Sequence, residues 1–320
     1  MTSMPNGART KLSPTPCVVH LVRATNGIDP LATFLDSYRS HPAGIDHELV
    51  IVFKGFKRES DADPYLALAG AAMSEALFIG DEGFDLTAYF VAADRLHRER
   101  YCFLNSYSEI LADRWLAVMD AALDEPGVGL VGATGSYASV RSYLLFHLGL
   151  GGAYARIFDD RTRTRALMKQ LGARRRAAQG SPPTWLAAKL ATAAEMRDQA
   201  LWFEPFPNHH VRTNAFMLSS EVRARMSVRP LHRKVDAYQL ESGRTSMTRQ
   251  VERIGLRPVL VSRDGMVHEV AAWAESSLFW QGRQESLLIA DNQTRDYQLG
   301  DAELRLLLSR YAWGDRAMPL

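Results

Sequence analysis

A polar segment in the second half of the chain carries side chains suited to holding phosphate or sugar hydroxyls. It reads Asn208-His-His-Val-Arg-Thr-Asn214 and leads into an apolar stretch. Each bound hydroxyl needs a placed donor and a placed acceptor, which amide, hydroxyl and guanidinium groups supply. Arg212, Thr213 and Asn214 are therefore binding candidates. The two adjacent histidines could instead ligate a metal, although neighbours in sequence seldom face one ion.

Two carboxylates further along the chain are candidates for general base chemistry. Transfer of a group to a hydroxyl acceptor needs a carboxylate to take the proton. Glu241 is the first candidate and Asp236 the reserve. We expect Glu241 at the entrance of a helix over Thr245–Arg253, where the helix dipole stabilises a negative charge, so helix capping is its alternative role. The neighbouring Arg244 could meet charge that develops on a leaving group.

Polar side chains also follow two apolar runs that read as buried strands. Arg23 ends the run that starts at Cys17, and Asn26 follows it in a turn. A guanidinium there can clamp phosphate or stack on a base, or it can be a surface arginine beside a turn. The run Tyr101–Leu104 leads directly into Asn105-Ser-Tyr107, for which a plain strand-to-loop transition is the alternative.

Strands alternate with helices at the pitch of βαβ units through the first half of the chain. This predicts an α/β fold with a mostly parallel sheet and helices on both faces. We expect residues 1–15 to be disordered and residues 16–320 to form a single domain. Within that domain residues 137–201 read as a helical insertion.

The insertion is rich in arginine between residues 156 and 176. A solvated helix face is the simple interpretation. A peripheral contact with an anionic membrane surface or a diphospholipid acceptor is the alternative, with the apolar run Tyr143–Leu150 as its companion. Near the C-terminus, Trp273, Trp280 and the segment Asp291-Asn-Gln-Thr294 could bind carbohydrate, although buried tryptophans usually belong to the core.

The composition excludes several classes of protein. With 320 residues, 47% hydrophobic and 23% charged, the chain can form a full core, and its formal charge of +2 disfavours a nucleic-acid binder. Two distant cysteines exclude a disulfide framework and a cysteine zinc site. No P-loop, glycine-rich dinucleotide turn, nucleophile elbow or zincin motif occurs. No apolar segment has the length of a signal peptide or a membrane span, so we expect a cytoplasmic protein.

The order of these segments resembles the GT-A glycosyltransferases, in particular the bacterial polysaccharide type of the large inverting group. The resemblance covers about Cys17 to Gly265. It is carried by Val18-Val-His-Leu-Val-Arg23, Glu48-Leu-Val-Ile-Val-Phe-Lys54-Gly55, Gly83-Phe-Asp85, Phe103-Leu-Asn105-Ser106, Arg212-Thr213-Asn214 and Glu241-Ser-Gly-Arg244.

The resemblance implies a nucleoside-diphosphate-sugar donor and a saccharide or lipid-linked acceptor. It implies that Arg23 and Lys54 lie near the nucleotide, Asp85 near the base or sugar and Asn105 near the diphosphate. Glu241 matches the base on the acceptor side.

One departure from the family pattern affects the expected cofactor. Asn105 and Tyr107 stand where these enzymes carry an Asp-x-Asp pair that holds a divalent cation. The sequence therefore predicts no certain metal ligand, with Mg²⁺ or Mn²⁺ as an open alternative. The same departure favours a second hypothesis, a catalytically silent nucleotide- or carbohydrate-binding partner in a glycan assembly complex.

Overall fold

The computed structural model describes residues 12–178 and 193–316. The strands of these residues are β1 Cys17–Arg23, β2 Glu48–Lys54, β3 Glu75–Ile79, β4 Arg100–Leu104, β5 Glu109–Ile110, β6 Val128–Gly132, β7 Gly135–Ser136, β8 His210–Val211, β9 Ala215–Ser219, β10 Arg257–Val261, β11 Val267–Glu269 and β12 Ile289–Ala290. The helices are α1 Asp29–Ser40, α2 Asp63–Ala69, α3 Asp85–Leu96, α4 Trp115–Leu123, α5 Val140–Leu148, α6 Tyr154–Ile157, α7 Arg161–Ala178, α8 Ala193–Trp202, α9 Ser220–Arg225, α10 Lys234–Ser242, α11 Met247–Arg253, α12 Asn292–Gln298 and α13 Ala302–Trp313.

Eight strands form the central sheet in the order β11-β10-β6-β9-β4-β1-β2-β3. Six of them are parallel to one another, whereas β9 runs antiparallel between β4 and β6, and β11 runs antiparallel at one edge. The predicted α/β fold with a mostly parallel sheet is confirmed. The central position of β9 goes beyond the sequence prediction, which described residues 215–218 only as apolar.

Both faces of the sheet are covered, which explains why its strands read as continuous apolar runs. Along β1, Cys17, Val19 and Leu21 pack into one core cluster, whereas Val18 and Val22 pack into the other. This alternation follows the two-residue period of a strand. Helices therefore lie on both faces, as the sequence predicts.

The described part of residues 137–201 contains α5, α6, α7 and most of α8, joined by short non-helical connections, and lies between β7 and β8. Residues 179–192 of this segment lie outside the described part. Residues 1–15 were expected to be disordered, but the end of this segment is bound to the fold. The backbone N–H of Ser13 donates to the His97 carbonyl, and the Ser13 carbonyl accepts from the Glu99 backbone N–H. Residues 1–11 lie outside the described part. Among the described helices, none has the length and apolar character needed to cross a bilayer.

His20 is a buried polar residue in the middle of β1. Its ring stacks on Phe34 of α1 with centroids 3.7 Å apart, and neither ring nitrogen has a hydrogen-bond partner among the described residues. Burial lowers the pKa of His20 to about 3. The native state therefore holds a neutral ring, and the free energy of unfolding falls as the pH drops below the unfolded pKa near 6.5.

We expect His20→Leu to stabilise the protein, and to do so more at pH 5 than at pH 8. At pH 8 the gain is about 1 kcal/mol, because an unpartnered buried polar group is removed. At pH 5 the gain rises by about 2 kcal/mol, because the wild-type unfolded state binds a proton that the native state excludes. Urea unfolding at both pH values measures this difference. A gain that is equal at the two values would contradict the assigned burial of a neutral ring.

Candidate active site at the strand ends

The candidate site lies at the carboxyl ends of β1 and β4. Strands β2 and β3 extend the sheet on one side of β1, and β4 begins the other side, so the strand order reverses between β1 and β4. Such a reversal opens a crevice above the strand ends. Because β9 is antiparallel, its first residue lies at this same edge, where Ala215 pairs with Leu104. The segment that precedes β9 therefore enters the crevice.

A pocket of about 310 Å³ fills this crevice. It brings together nine of the residues predicted from sequence, namely Arg23, Asn26, Asp85, Asn105, Tyr107, Arg212, Thr213, Asn214 and Glu241. It also contains Asp291, Asn292 and Gln293 of the segment considered for carbohydrate binding, and two residues without a site role from sequence, Ser106 and Lys234. Residues far apart in the chain thus converge at one edge of the sheet.

Arg212 is held rigidly in the wall of the pocket. Its Nη2 lies 2.8 Å from Oδ2 of Asp291, and its Nη1 donates to Oγ1 of Thr134 at 3.1 Å. The guanidinium lies over the ring of Phe279, 3.9 Å from the centroid. The side chains of the Arg212–Asp291 pair are only 6% and 1% exposed. A cation fixed in this way is preorganised to meet negative charge in the pocket.

Asp291 links this cation to the C-terminal part of the fold. Its second oxygen, Oδ1, accepts hydrogen bonds from the backbone N–H groups of Gln293 and Thr294 and caps α12. The carboxylate therefore cannot turn away from Arg212 without releasing the cap. The sequence analysis considered residues 291–294 only as carbohydrate ligands, although an aspartate three residues before a threonine is also an N-cap signal.

Three buried hydrogen-bonding atoms in the pocket residues have no partner among the described residues. They are Nε of Arg23, Oγ of Ser106 and Nδ2 of Asn214. The other side of the Asn214 amide is satisfied, since its Oδ1 accepts from Thr134 Oγ1 at 2.5 Å. An unsatisfied buried polar group costs about 1–3 kcal/mol. All three belong to residues that line the pocket, so the wall of the pocket is polar.

Glu241 also lies in the pocket, but not where the sequence analysis expected it. It belongs to the last turn of α10, not to the entrance of a following helix, so its charge has no N-terminal dipole to stabilise it. Instead Oε1 accepts hydrogen bonds from Thr213, from the backbone N–H at 3.3 Å and the hydroxyl at 3.1 Å. These bonds fix the carboxylate beside the segment that carries Arg212.

A second ionic cluster surrounds Asp85, the first residue of α3. Arg23 lies 3.7 Å from Asp85 and 3.7 Å from Asp81. Burial raises the pKa of Asp85, while Arg23 and Lys54 oppose that rise and Glu241 adds to it. The charge of Glu241 therefore reaches Asp85 across the pocket.

Three residues predicted for the site do not reach the pocket. Lys54 is fully buried and ties the end of β2 to the next loop, with Asp81 Oδ1 at 3.2 Å and the Glu82 carbonyl at 3.0 Å. Asp236 binds Arg233 and its backbone N–H at the start of α10, on the side away from Glu241. Arg244 is exposed and pairs with Glu204 at 3.1 Å.

The residues present do not fit a divalent-cation site of the Asp-x-Asp kind. The side-chain oxygen of Asn105 accepts from the Tyr107 backbone N–H and the Ser108 hydroxyl, which closes the turn after β4. Within residues 12–178 and 193–316 no group of three or more His, Cys, Asp or Glu side chains is placed to hold a metal. The carboxylates that line the pocket are Asp85, Glu241 and Asp291, and each is engaged by the neighbours described above.

Two further candidates from sequence have structural roles. His209 bonds Glu252 at 2.5 Å, and the neighbouring His210 is buried, which lowers its pKa to about 4. These histidines therefore do not share a metal site. Trp273 and Trp280 are buried in the core, so carbohydrate does not reach them.

No family model matches the sequence, and no curated protein matches it. Among solved structures, the mannosyltransferase PcManGT of Pyrobaculum calidifontis, in complex with GDP-Man and Mn²⁺, matches with 12% identity and a TM-score of 0.44. That match covers 86% of this chain and 64% of the other. GalNAc-T7, with UDP, GalNAc and Mn²⁺, matches 38% of this chain and 23% of its own, with 16% identity and a TM-score of 0.30. This chain thus spans less than two thirds of either protein.

Proposed function

We propose that the protein is a glycosyltransferase that moves a sugar from a nucleoside-diphosphate-sugar donor to a saccharide or lipid-linked acceptor in polysaccharide or glycan synthesis. The observation that carries this proposal is the pocket at the switch point of the sheet. There a buried guanidinium, a fixed carboxylate and the polar residues Ser106 and Asn214 line one cavity. The guanidinium can meet phosphate oxygens, and the carboxylate can take the proton of an acceptor hydroxyl.

In the proposed mechanism Glu241 takes the proton of the acceptor hydroxyl. The acceptor oxygen then forms a bond to the anomeric carbon while the bond from that carbon to the diphosphate oxygen breaks. A single displacement of this kind inverts the anomeric configuration. The nucleoside diphosphate leaves with the electron pair of the broken bond, and its negative charge grows as it departs.

Arg212 meets the charge of the leaving group in this proposal, assisted by Arg23 and Lys234, which also line the pocket. Fixed cations in a site sheltered from water stabilise such charge without reorganisation. No step is assigned to a divalent cation, because the turn after β4 offers an amide and a phenol in place of two carboxylates. Arg244, the other cation considered from sequence, lies outside the pocket.

Release of nucleoside diphosphate from UDP-, GDP-, CDP- and dTDP-sugars, with and without candidate acceptors, tests this function. We expect one nucleotide class to be cleaved, and cleavage to continue in the presence of a chelator. Lack of turnover with every donor, in protein that binds nucleotide, would favour the second candidate.

That second candidate is a silent nucleotide- or carbohydrate-binding partner of a glycan assembly complex. It is favoured by the engaged Asn105 side chain, which leaves the usual metal position without free carboxylates. Both candidates use the same pocket. They differ in whether Glu241 performs chemistry.

A further inference from the structure

Helix α7 has an unusual charge distribution. Its 18 residues, Arg161–Ala178, contain seven arginines and lysines and no aspartate or glutamate. The whole chain has a formal charge of +2, so the remaining residues together carry −5. The positive charge of the protein is therefore concentrated on one element of the helical insertion.

Three of these cations form one stripe along the helix. Arg161, Arg165 and Lys169 are spaced by four residues, which places them on the same face. Like charges at this spacing destabilise a helix, unless an anion lies against them. No carboxylate forms an ion pair with any of the three in the described part of the chain. The nearby acidic residues are used elsewhere, since Glu303 pairs with Arg163.

The stripe faces the C-terminal end of α5. A Cβ on Gly149, the residue that ends α5, would lie 1.8 Å from Nη1 of Arg161, so the guanidinium packs directly on that glycine. Arg165 lies 3.4 Å from the ring of His147. Lys169 lines a cleft of about 390 Å³ with Tyr143 and these two residues. Burial and the two arginines lower the pKa of His147, which reflects the local excess of positive charge.

Two large apolar side chains are exposed at the end of α5, one on each side of Gly149 in the sequence, the glycine on which Arg161 packs. Leu148 is 42% exposed and Leu150 is 68% exposed. The turn that carries them is ordered, because the Leu150 backbone N–H donates to the Leu145 carbonyl at 2.9 Å. Cations next to exposed leucines are the combination that binds the interface of an anionic bilayer: the cations meet lipid phosphates, and the leucines enter the acyl boundary.

The geometry points to a membrane-docking surface formed by Arg161, Arg165 and Lys169 of α7 with Leu148 and Leu150 at the end of α5, whose partner is a bilayer of anionic phospholipid. The leucines favour a bilayer over a nucleic acid, since a phosphate backbone alone offers them no apolar environment. This surface does not depend on the proposed transferase activity. It would bring the protein to the membrane face where a lipid-linked acceptor resides.

Co-sedimentation of the full chain with vesicles tests this surface. Vesicles of phosphatidylcholine containing about one third phosphatidylglycerol should bind the protein, and pure phosphatidylcholine vesicles should not. Binding should weaken as salt screens the charges. The double substitution Arg165→Gln and Lys169→Gln should reduce the partition coefficient about 25-fold, at about fivefold per cation. Leu150→Ser should reduce it about tenfold through lost apolar burial.

Arg163→Gln is the matched control, because Arg163 is on the same helix and its charge is already paired with Glu303. We expect it to bind vesicles nearly as wild type does. Equal binding to both vesicle types, no binding to either, or equal weakening by the control would overturn the proposal. Salt-sensitive binding to duplex DNA with no binding to anionic vesicles would assign the surface to nucleic acid instead. Titration of the same variants with nucleotide tests the proposed transferase site separately. Failure to bind vesicles together with normal nucleotide binding would overturn the membrane-docking surface and leave the transferase proposal intact.

Discussion

Glu241→Gln is expected to reduce turnover about 10²–10⁴-fold while leaving nucleotide affinity unchanged. The glutamine keeps an oxygen that accepts the two hydrogen bonds from Thr213, so the shape of the pocket is preserved. What it loses is the ability to take a proton. Single-turnover assays with the nucleotide sugar that the wild-type protein cleaves measure the rate, and calorimetry measures the nucleotide affinity.

Asp236→Asn is the matched control for this substitution. Asp236 stands on the same helix five residues earlier, but it binds Arg233 and lies away from the pocket. It should keep turnover close to wild type. Unchanged turnover in Glu241→Gln would remove Glu241 from the mechanism, and loss of turnover only in Asp236→Asn would transfer the role to the residue that the sequence analysis held in reserve.

The second large effect is expected at the buried ion pair. Arg212→Met removes the cation and leaves the buried Asp291 carboxylate without the Arg212 guanidinium, which should lower the free energy of unfolding by about 3–5 kcal/mol. The same change should weaken nucleotide binding about 10–100-fold, since a charged hydrogen-bond donor is lost. Chemical unfolding and calorimetric titration measure the two losses separately.

A double variant distinguishes the structural loss from the functional one. Arg212→Met combined with Asp291→Asn also removes the negative charge that Arg212 faces, while the asparagine oxygen can still cap α12. We expect it to regain much of the lost stability and none of the lost affinity. Arg244→Gln, a cation outside the pocket, should change neither. Recovery of nucleotide affinity in the double variant would show that Arg212 supports the fold and does not bind the ligand.

Much of the sheet could be predicted from sequence, because strands buried on both faces appear as uninterrupted apolar runs. Arg23 and Asn105 each follow such a run, and parallel strands end at the same edge, so their proximity followed from the fold class. The antiparallel direction of β9 could not be read from four apolar residues. Strand direction is set by pairing partners, here Leu104 with Ala215, and not by local composition.

The parts of the site that were missed depend on long-range contacts. Asp291 reaches Arg212 because the short strand β12, which directly precedes Asp291, pairs with β5. In that pair Ile289 lies opposite Ile110, a residue far earlier in the sequence. No local spacing encodes that contact. The position of Glu241 was wrong for a local reason: the helix it belongs to begins at Lys234 and ends at Ser242, so Gly243 follows the carboxylate as a helix terminator.

The most direct measurement is a calorimetric titration of the protein with UDP, GDP, CDP and dTDP, each in the presence of chelator and then of Mn²⁺. The pocket built around Arg212 predicts saturable binding of one nucleotide with an affinity that does not change when Mn²⁺ replaces the chelator. Binding that requires Mn²⁺, or no binding of any of the four, would contradict a nucleotide site in which a buried arginine holds the diphosphate.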